Sequence, residues 1–284
     1  MNGATATAPI AAFIGTTPNI GTTAAAFAAA FRIAEATGKP VGYLCLNLKS
    51  AKIHRYIGID EPSVTLEKLR PELRSYTLTP EKLRRAAHPV QGQLNLQVLF
   101  GNLMREQAEF FTPEEAEHLL NVAGEAFSFV VLDLGAYWDN AATICSVRRA
   151  STRVLVTTSA LSHFGEDGKR WIGQVSPLFG VAREDYTALL IRNPWRNGGF
   201  HMKHICKELG MEALGKYRLS ETLFSHLDNG TYGEWLKATD EGKQAMRAPA
   251  KAIMQRHGLR SMPVAMAVQP WYRKLLAHRS GTSS

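Results

Sequence analysis

The sequence predicts an α/β protein: a mostly parallel β-sheet with helices on both faces, giving three layers. Two patterns predict it. Short, largely apolar runs at 11–14, 41–46, 129–134 and 153–157 have the make-up of strands buried on both faces. Segments of helical spacing lie between them, and strands that alternate with helices imply parallel crossover units. With 284 residues, 45% of them hydrophobic, the chain can bury the core such a sheet needs.

The elements follow in order. Residues 11–14 form a strand that ends at Gly15, and a loop follows to Gly21. The alanine-rich stretch 22–37, with Phe27, Phe31 and Ile33 as its bulky groups, reads as a buried helix closed by Gly38. Lys39 and Pro40 turn the chain into a second strand at 41–46, completing a βαβ unit. Residues 64–73 and 80–87 read as two short amphipathic helices, and 94–100 alternates as a strand. Thr112 opens a helix over 113–127, with Glu114 and Glu115 in its first turn. The run 129–134 is a central strand carrying Asp133 just before Gly135. Further helices are expected at 141–149, 165–178, 201–209, 219–227 and 243–255, and further strands at 153–157 and 187–192. Glu166 and Asp167 are expected to cap the 165–178 helix. No linker divides the chain and no repeat recurs. The expected organisation is a flexible N-terminus over 1–9, one domain over 10–256 and a basic tail over 257–284.

Charge is unevenly placed. The net charge is +8, yet no acid follows Glu241, while eight lysines and arginines do, so residues 1–241 carry 25 basic and 25 acidic groups. Residues 243–284 therefore read either as a contact for an anionic membrane surface or DNA, or as a solvated helix face with a loose end. No apolar run approaches the roughly 20 residues that span a bilayer, and the N-terminus lacks a basic signal-peptide start, so a cytoplasmic location, peripheral to the membrane at most, is expected. Cys45, Cys145 and Cys206 are distant and odd in number, as small buried hydrophobes would be.

The strongest chemical signal is the loop Gly15-Thr16-Thr17-Pro18-Asn19-Ile20-Gly21-Thr22-Thr23. It follows a strand and opens a helix, the setting in which backbone N–H groups and the helix dipole bind phosphate. The phosphate-loop pattern is G-x-x-x-x-G-K-[ST]. Gly21 matches its second glycine and Thr23 its magnesium-reaching hydroxyl. Thr22 replaces the lysine, the first glycine is one residue too distant, and Pro18 removes a backbone donor. Losing the lysine's charge is worth about 3–4 kcal/mol of transition-state stabilisation. Taken alone, such a loop also describes an ordinary helix start.

Over about residues 10–253 the chain resembles the ParA/MinD group of P-loop ATPases. The sequence Val41-Gly42-Tyr43-Leu44-Cys45-Leu46-Asn47 is similar to the family's second strand, which ends in a switch I aspartate; here Asn47 stands there. Phe129-Val130-Val131-Leu132-Asp133-Leu134-Gly135 is similar to the strand whose acid helps hold magnesium. Residues 187–193 resemble the strand whose closing asparagine, Asn193, lies near adenine, and residues 219–233 resemble the family's late segment. The family's second, dimer-bridging lysine is replaced by Thr16 and Thr17. The resemblance implies a nucleotide site of Gly15, Thr16, Thr17, Asn19, Gly21, Thr22, Thr23 and Asn193, with Thr23 and Asp133 for magnesium. ATP and magnesium are the implied cofactors, bound weakly, and a homodimer is the implied assembly. An amide cannot act as the switch carboxylate, so hydrolysis is not expected. Lys49 and Lys52 follow closely, as two exposed lysines or as cations for a phosphate.

This degenerate pattern most resembles the TadZ/CpaE-like branch, which localises pilus machinery. The expected role is a non-hydrolysing positioning factor with partners in a pilus, secretion or partition system. A slow, partner-activated ATPase and a DNA-bound partition protein are the alternatives. His201, His204 and Cys206 could share a helix face as metal ligands or as a surface pair. Trp138 and Trp195 follow strand ends, where they would line a crevice or fill the core.

Overall fold

The computed structural model describes residues 7–194 and 198–262. Its eight-stranded sheet comprises β1 (Ile10–Gly15), β2 (Val41–Cys45), β3 (His88–Val90), β4 (Gln93–Leu99), β5 (Phe129–Asp133), β6 (Thr152–Thr158), β7 (Tyr186–Arg192) and β8 (Glu212–Arg218). The spatial order is β3-β4-β2-β5-β1-β6-β7-β8. Every neighbouring pair is parallel except the β3–β4 hairpin. Its helices are α1 (Thr22–Thr37), α2 (Ile53–Tyr56), α3 (Leu66–Arg74), α4 (Pro80–Ala86), α5 (Pro113–Ala126), α6 (Ala141–Arg149), α7 (Met202–Leu209), α8 (Glu221–Asp228), α9 (Tyr232–Ala238), α10 (Asp240–Gln244) and α11 (Arg247–Arg256).

All of β1, β2 and β5 is buried, because helices cover both sides of the sheet. One core lies under α1, α8, α9 and α11; the other lies under α3, α5, α6 and α7. The small alanines of α1 bring its backbone close to the strands, and Phe27 fills the remaining space. Its ring lies 5.6 Å from Tyr43 and 5.3 Å from Tyr232. Arg32, only 4% exposed, donates to the carbonyls of Leu236, Gly242 and Ala245, fastening α9 and the chain after it onto α1. Gly38 ends α1 in the left-handed region, at φ 62, where its N–H reaches the Ala34 carbonyl. Thr112 and Glu115 form a capping box at α5.

The structure departs from the sequence pattern in five places. Strand β8 was absent from that pattern because it is an edge strand: Glu212, Lys216 and Arg218 are exposed, and the register shifts beside Gly215. Strand β3 is a three-residue hairpin arm containing Pro89, and α9 was likewise missed. The expected 165–178 helix starts earlier and is wound wide, as π turns over Ser162–Gly168 and Trp171–Val175 and a 3₁₀ turn over Ser176–Phe179. Glu166 and Asp167 therefore lie inside it and do not cap it. The expected 243–255 helix breaks at Met246, whose φ of 56 separates α10 from α11. Trp195 and the basic segment 263–284 lie outside the described residues. No described helix is long and apolar enough to cross a membrane.

Candidate nucleotide site

Strand β1 lies between β5 and β6, where the strand order reverses, and its carboxyl end opens into a crevice. The loop to α1 is fixed there by its own backbone. The Gly15 N–H donates to the Gly135 carbonyl at 2.6 Å, and the Thr16 N–H donates to that of Val156 at 2.9 Å. Asn19 and Gly21 take positive φ, at 61 and 101. Asparagine tolerates this region, and at Gly21 a Cβ would also come within 3.2 Å of Leu219.

Side chains behind the loop hold it as well. The indole N–H of Trp138 donates to the Gly15 carbonyl at 3.3 Å, and that of Trp171 donates to the Thr16 carbonyl at 3.0 Å. The Thr16 hydroxyl turns inward to Thr157 at 3.2 Å, and the Thr17 hydroxyl donates to Asp167 at 2.6 Å. Asp167, expected at a helix cap, instead anchors the loop.

In front of the loop lies a cavity of about 460 Å³, within the usual size of ligand pockets. Of the residues singled out from the sequence, Thr17, Asn19, Gly21, Thr22, Thr23, Asn47 and Asn193 line it. Gly15 and Thr16 do not: they sit behind the loop, where backbone and hydroxyl are already engaged. Ile191, Leu219, Phe224 and Leu227 are large apolar residues of its wall, which also includes Lys52, Tyr56, Tyr137, Thr158, Ser159 and His163. No sequence pattern points to Trp171 or Phe224. Thr158 and Ser159 follow the strand next to β1, and that position was the available clue.

Gly21 brings no side chain to cap α1, and no acid stands in its first turn. By contrast, Thr112, Asn140 and Ser220 cap α5, α6 and α8. The first N–H groups of α1 thus keep their affinity for an anion at the cavity wall. Asn47 is 7% exposed, and its Nδ2 donates to the Ser50 carbonyl at 3.0 Å. Its Oδ1 is buried with no partner among the described residues.

Asp133 lies behind the cavity wall, fully buried and not part of the lining, where it meets Thr23. It accepts from the Tyr43 hydroxyl at 2.9 Å, from the Gly135 N–H at 3.2 Å and from the Thr23 hydroxyl. Burial pushes its carboxyl above the usual range, and these donors oppose that rise. Burial also raises the Tyr43 hydroxyl and the Cys45 thiol. The Thr23 hydroxyl held on the Asp133 carboxylate fits a magnesium ion, which takes oxygen ligands. The uncapped helix start fits phosphate. The loop's side chains supply no cation: the Thr22 hydroxyl lies 2.6 Å from where a Gly15 Cβ would be.

The other candidates fall elsewhere. Lys49 is not exposed as expected: its ammonium lies 2.6 Å from Asp139 and over the Tyr137 ring, with 12% of the side chain accessible. Trp138 is a core residue, stacked on Trp171. His201 precedes α7, and His204 stacks on Phe200 at 4.8 Å. No group of three potential metal ligands occurs among the described residues.

A parallel sheet with a glycine-bearing loop from β1 into an uncapped helix, above an acid that ends the neighbouring strand, is the P-loop nucleoside triphosphatase architecture. Within that class the chain has the ParA/MinD fold. It is similar over 86% of its length, and 98% of the other chain, to the ParA family ATPase of Chlorobium tepidum TLS, with a TM-score of 0.72 and 17% identity. Septum site-determining MinD of Pyrococcus horikoshii OT3, complexed with Mg-ADP, matches with a TM-score of 0.69 and 18% identity, covering 88% of this chain and 98% of that one. A plasmid partition protein of Borrelia burgdorferi B31 bound to AMPPNP matches with a TM-score of 0.66 and 13% identity, over 88% and 99%. At such identities the shared property is the fold. No family model and no curated protein sequence matches the chain.

Proposed function

We propose that this chain binds a magnesium nucleotide in the β1–α1 cavity without hydrolysing it, and acts as a positioning factor for a multiprotein machine. One observation carries the reading. The cavity keeps the uncapped start of α1 and the Thr23–Asp133 pair, yet neither lysine of the ATPase loop is present. Magnesium, when bound, would neutralise part of the phosphate charge. Thr23 and Asp133 would hold it, the first turn of α1 would bind phosphate, and the Asn193 end would receive the base.

The fold-related proteins bound to Mg-ADP and AMPPNP support this choice of ligand. Asn47 supports the lack of turnover, because a neutral amide cannot orient or deprotonate a water as a carboxylate does. The TadZ/CpaE-like resemblance supports pilus or secretion machinery as the partner, with the basic residues of 243–284 as a contact for an anionic surface.

Titration with Mg-ATP, with phosphate release followed in parallel, tests the proposal. Saturable binding is expected, with release no faster than in a protein-free control. Phosphate release by the native chain faster than in that control would overturn it.

A further inference from the structure

We propose that Lys52 supplies the cation the phosphate loop has lost, making the cavity selective for a nucleoside triphosphate over a diphosphate. The inference rests on the nucleotide reading given above and assigns the residue that would read the charge.

Thr16 and Thr17 stand where one of the missing lysines would be and Thr22 where the other would be, and no threonine hydroxyl offers a charge; that of Thr16 turns inward to Thr157. The Thr17 hydroxyl is spent on Asp167, and that of Thr22 lies over Gly15. A triphosphate carries more negative charge than the N–H groups of one helix turn balance, so the site needs a cation from another element.

Among the described residues that line the cavity, Lys52 is the only lysine or arginine, and no carboxylate stands with it. It is the residue immediately before α2, and its Nζ lies 3.3 Å from the Oδ1 of Asn19, within the phosphate loop itself. That partner is a neutral amide oxygen, which an ammonium exchanges readily for a phosphate oxygen. Lys49, the other nearby candidate, is committed to Asp139. The backbone of the 47–52 segment is also held. The Ser50 N–H donates to the Asn47 carbonyl at 3.2 Å, and Asn47 Nδ2 returns to the Ser50 carbonyl. Lys52 therefore approaches the loop from a braced turn, while its long side chain keeps the reach to follow a ligand.

The test is calorimetric titration of the full chain and three variants, Lys52→Ala, Lys52→Arg and Lys251→Ala, with Mg-AMPPNP and Mg-ADP. Circular dichroism and melting temperature verify folding; Lys52 is exposed, so all three should fold as the native chain does. Lys52→Ala is expected to weaken AMPPNP binding about tenfold or more, the effect of losing a hydrogen bond to a charged group. ADP binding should fall less, Lys52→Arg should keep most of the affinity, and Lys251→Ala on α11 should match the native chain. Native-like AMPPNP affinity in Lys52→Ala would overturn the assignment and leave the nucleotide site standing. A native chain that binds neither nucleotide would overturn the nucleotide reading, and this assignment with it.

Discussion

The indole rings of Trp138 and Trp171 lie parallel, 2° apart in plane with centroids 5.5 Å apart, and each gives its N–H to a carbonyl at the start of the β1–α1 loop. One ring follows β5 and the other belongs to the wide π-wound segment after β6. Their stacking fixes the loop from behind, so its conformation is set by residues that never reach the cavity.

Trp171→Phe keeps an aromatic ring for Trp138 but leaves the Thr16 carbonyl without its donor. A loss of about 1–2 kcal/mol in unfolding free energy is expected from the unsatisfied, partly buried acceptor. Chemical denaturation measures it. An unchanged midpoint would mean that the indole N–H contributes nothing to the loop.

Gly135 has φ 63, and a Cβ there would meet Asn47 at 2.5 Å. Gly135→Ala should therefore cost about 1–3 kcal/mol from the left-handed backbone and the displaced amide together. Gly180, also at positive φ but with open space around it, is the control. Gly180→Ala carries only the backbone part, so it should cost less in the same denaturation experiment.

Arg32 joins α1 to α9 and the chain after it through three carbonyl oxygens. Arg32→Met keeps the stem and removes every donor. A loss of about 1–3 kcal/mol is expected, because the Leu236 and Ala245 carbonyls lose the guanidinium donor while that of Gly242 keeps only the Ala245 N–H. A melting temperature within a degree or two of native would show that water replaces the guanidinium.

His54 is buried, with its Nδ1 unpartnered among the described residues, and burial holds its pKa below the usual histidine value, with the Arg55 charge adding to the effect. In the unfolded chain this histidine takes a proton near its ordinary pKa of about 6.5, while the folded form resists. The unfolded state thus binds more protons as the pH falls, and stability drops below about pH 6.5. His54→Gln should flatten the dependence of unfolding free energy on pH between about 7 and 5. His257, lowered likewise by burial, leaves a residual slope in that variant.

The sequence by itself determined the alternation of strands and helices, the glycine-started helix α1, the capped α5 and the acid at the end of β5, because each depends on local pattern: apolar runs, capping residues and turn glycines. It also singled out the β1–α1 loop and the strand ends around it, since these carry their own local signatures, but not the apolar and aromatic residues that make up much of the cavity wall. Only the tertiary structure decided that Lys49 is tied to Asp139 while Lys52 faces the loop. The two lysines are three residues apart and chemically alike, so only the path of the chain between β2 and α2 separates them. The same holds for Asp167 and Trp171, which reach Thr17 and Thr16 across about 150 residues of chain. Edge strand β8 escaped notice because half its surface meets water, so its residues carry the polar pattern of a loop.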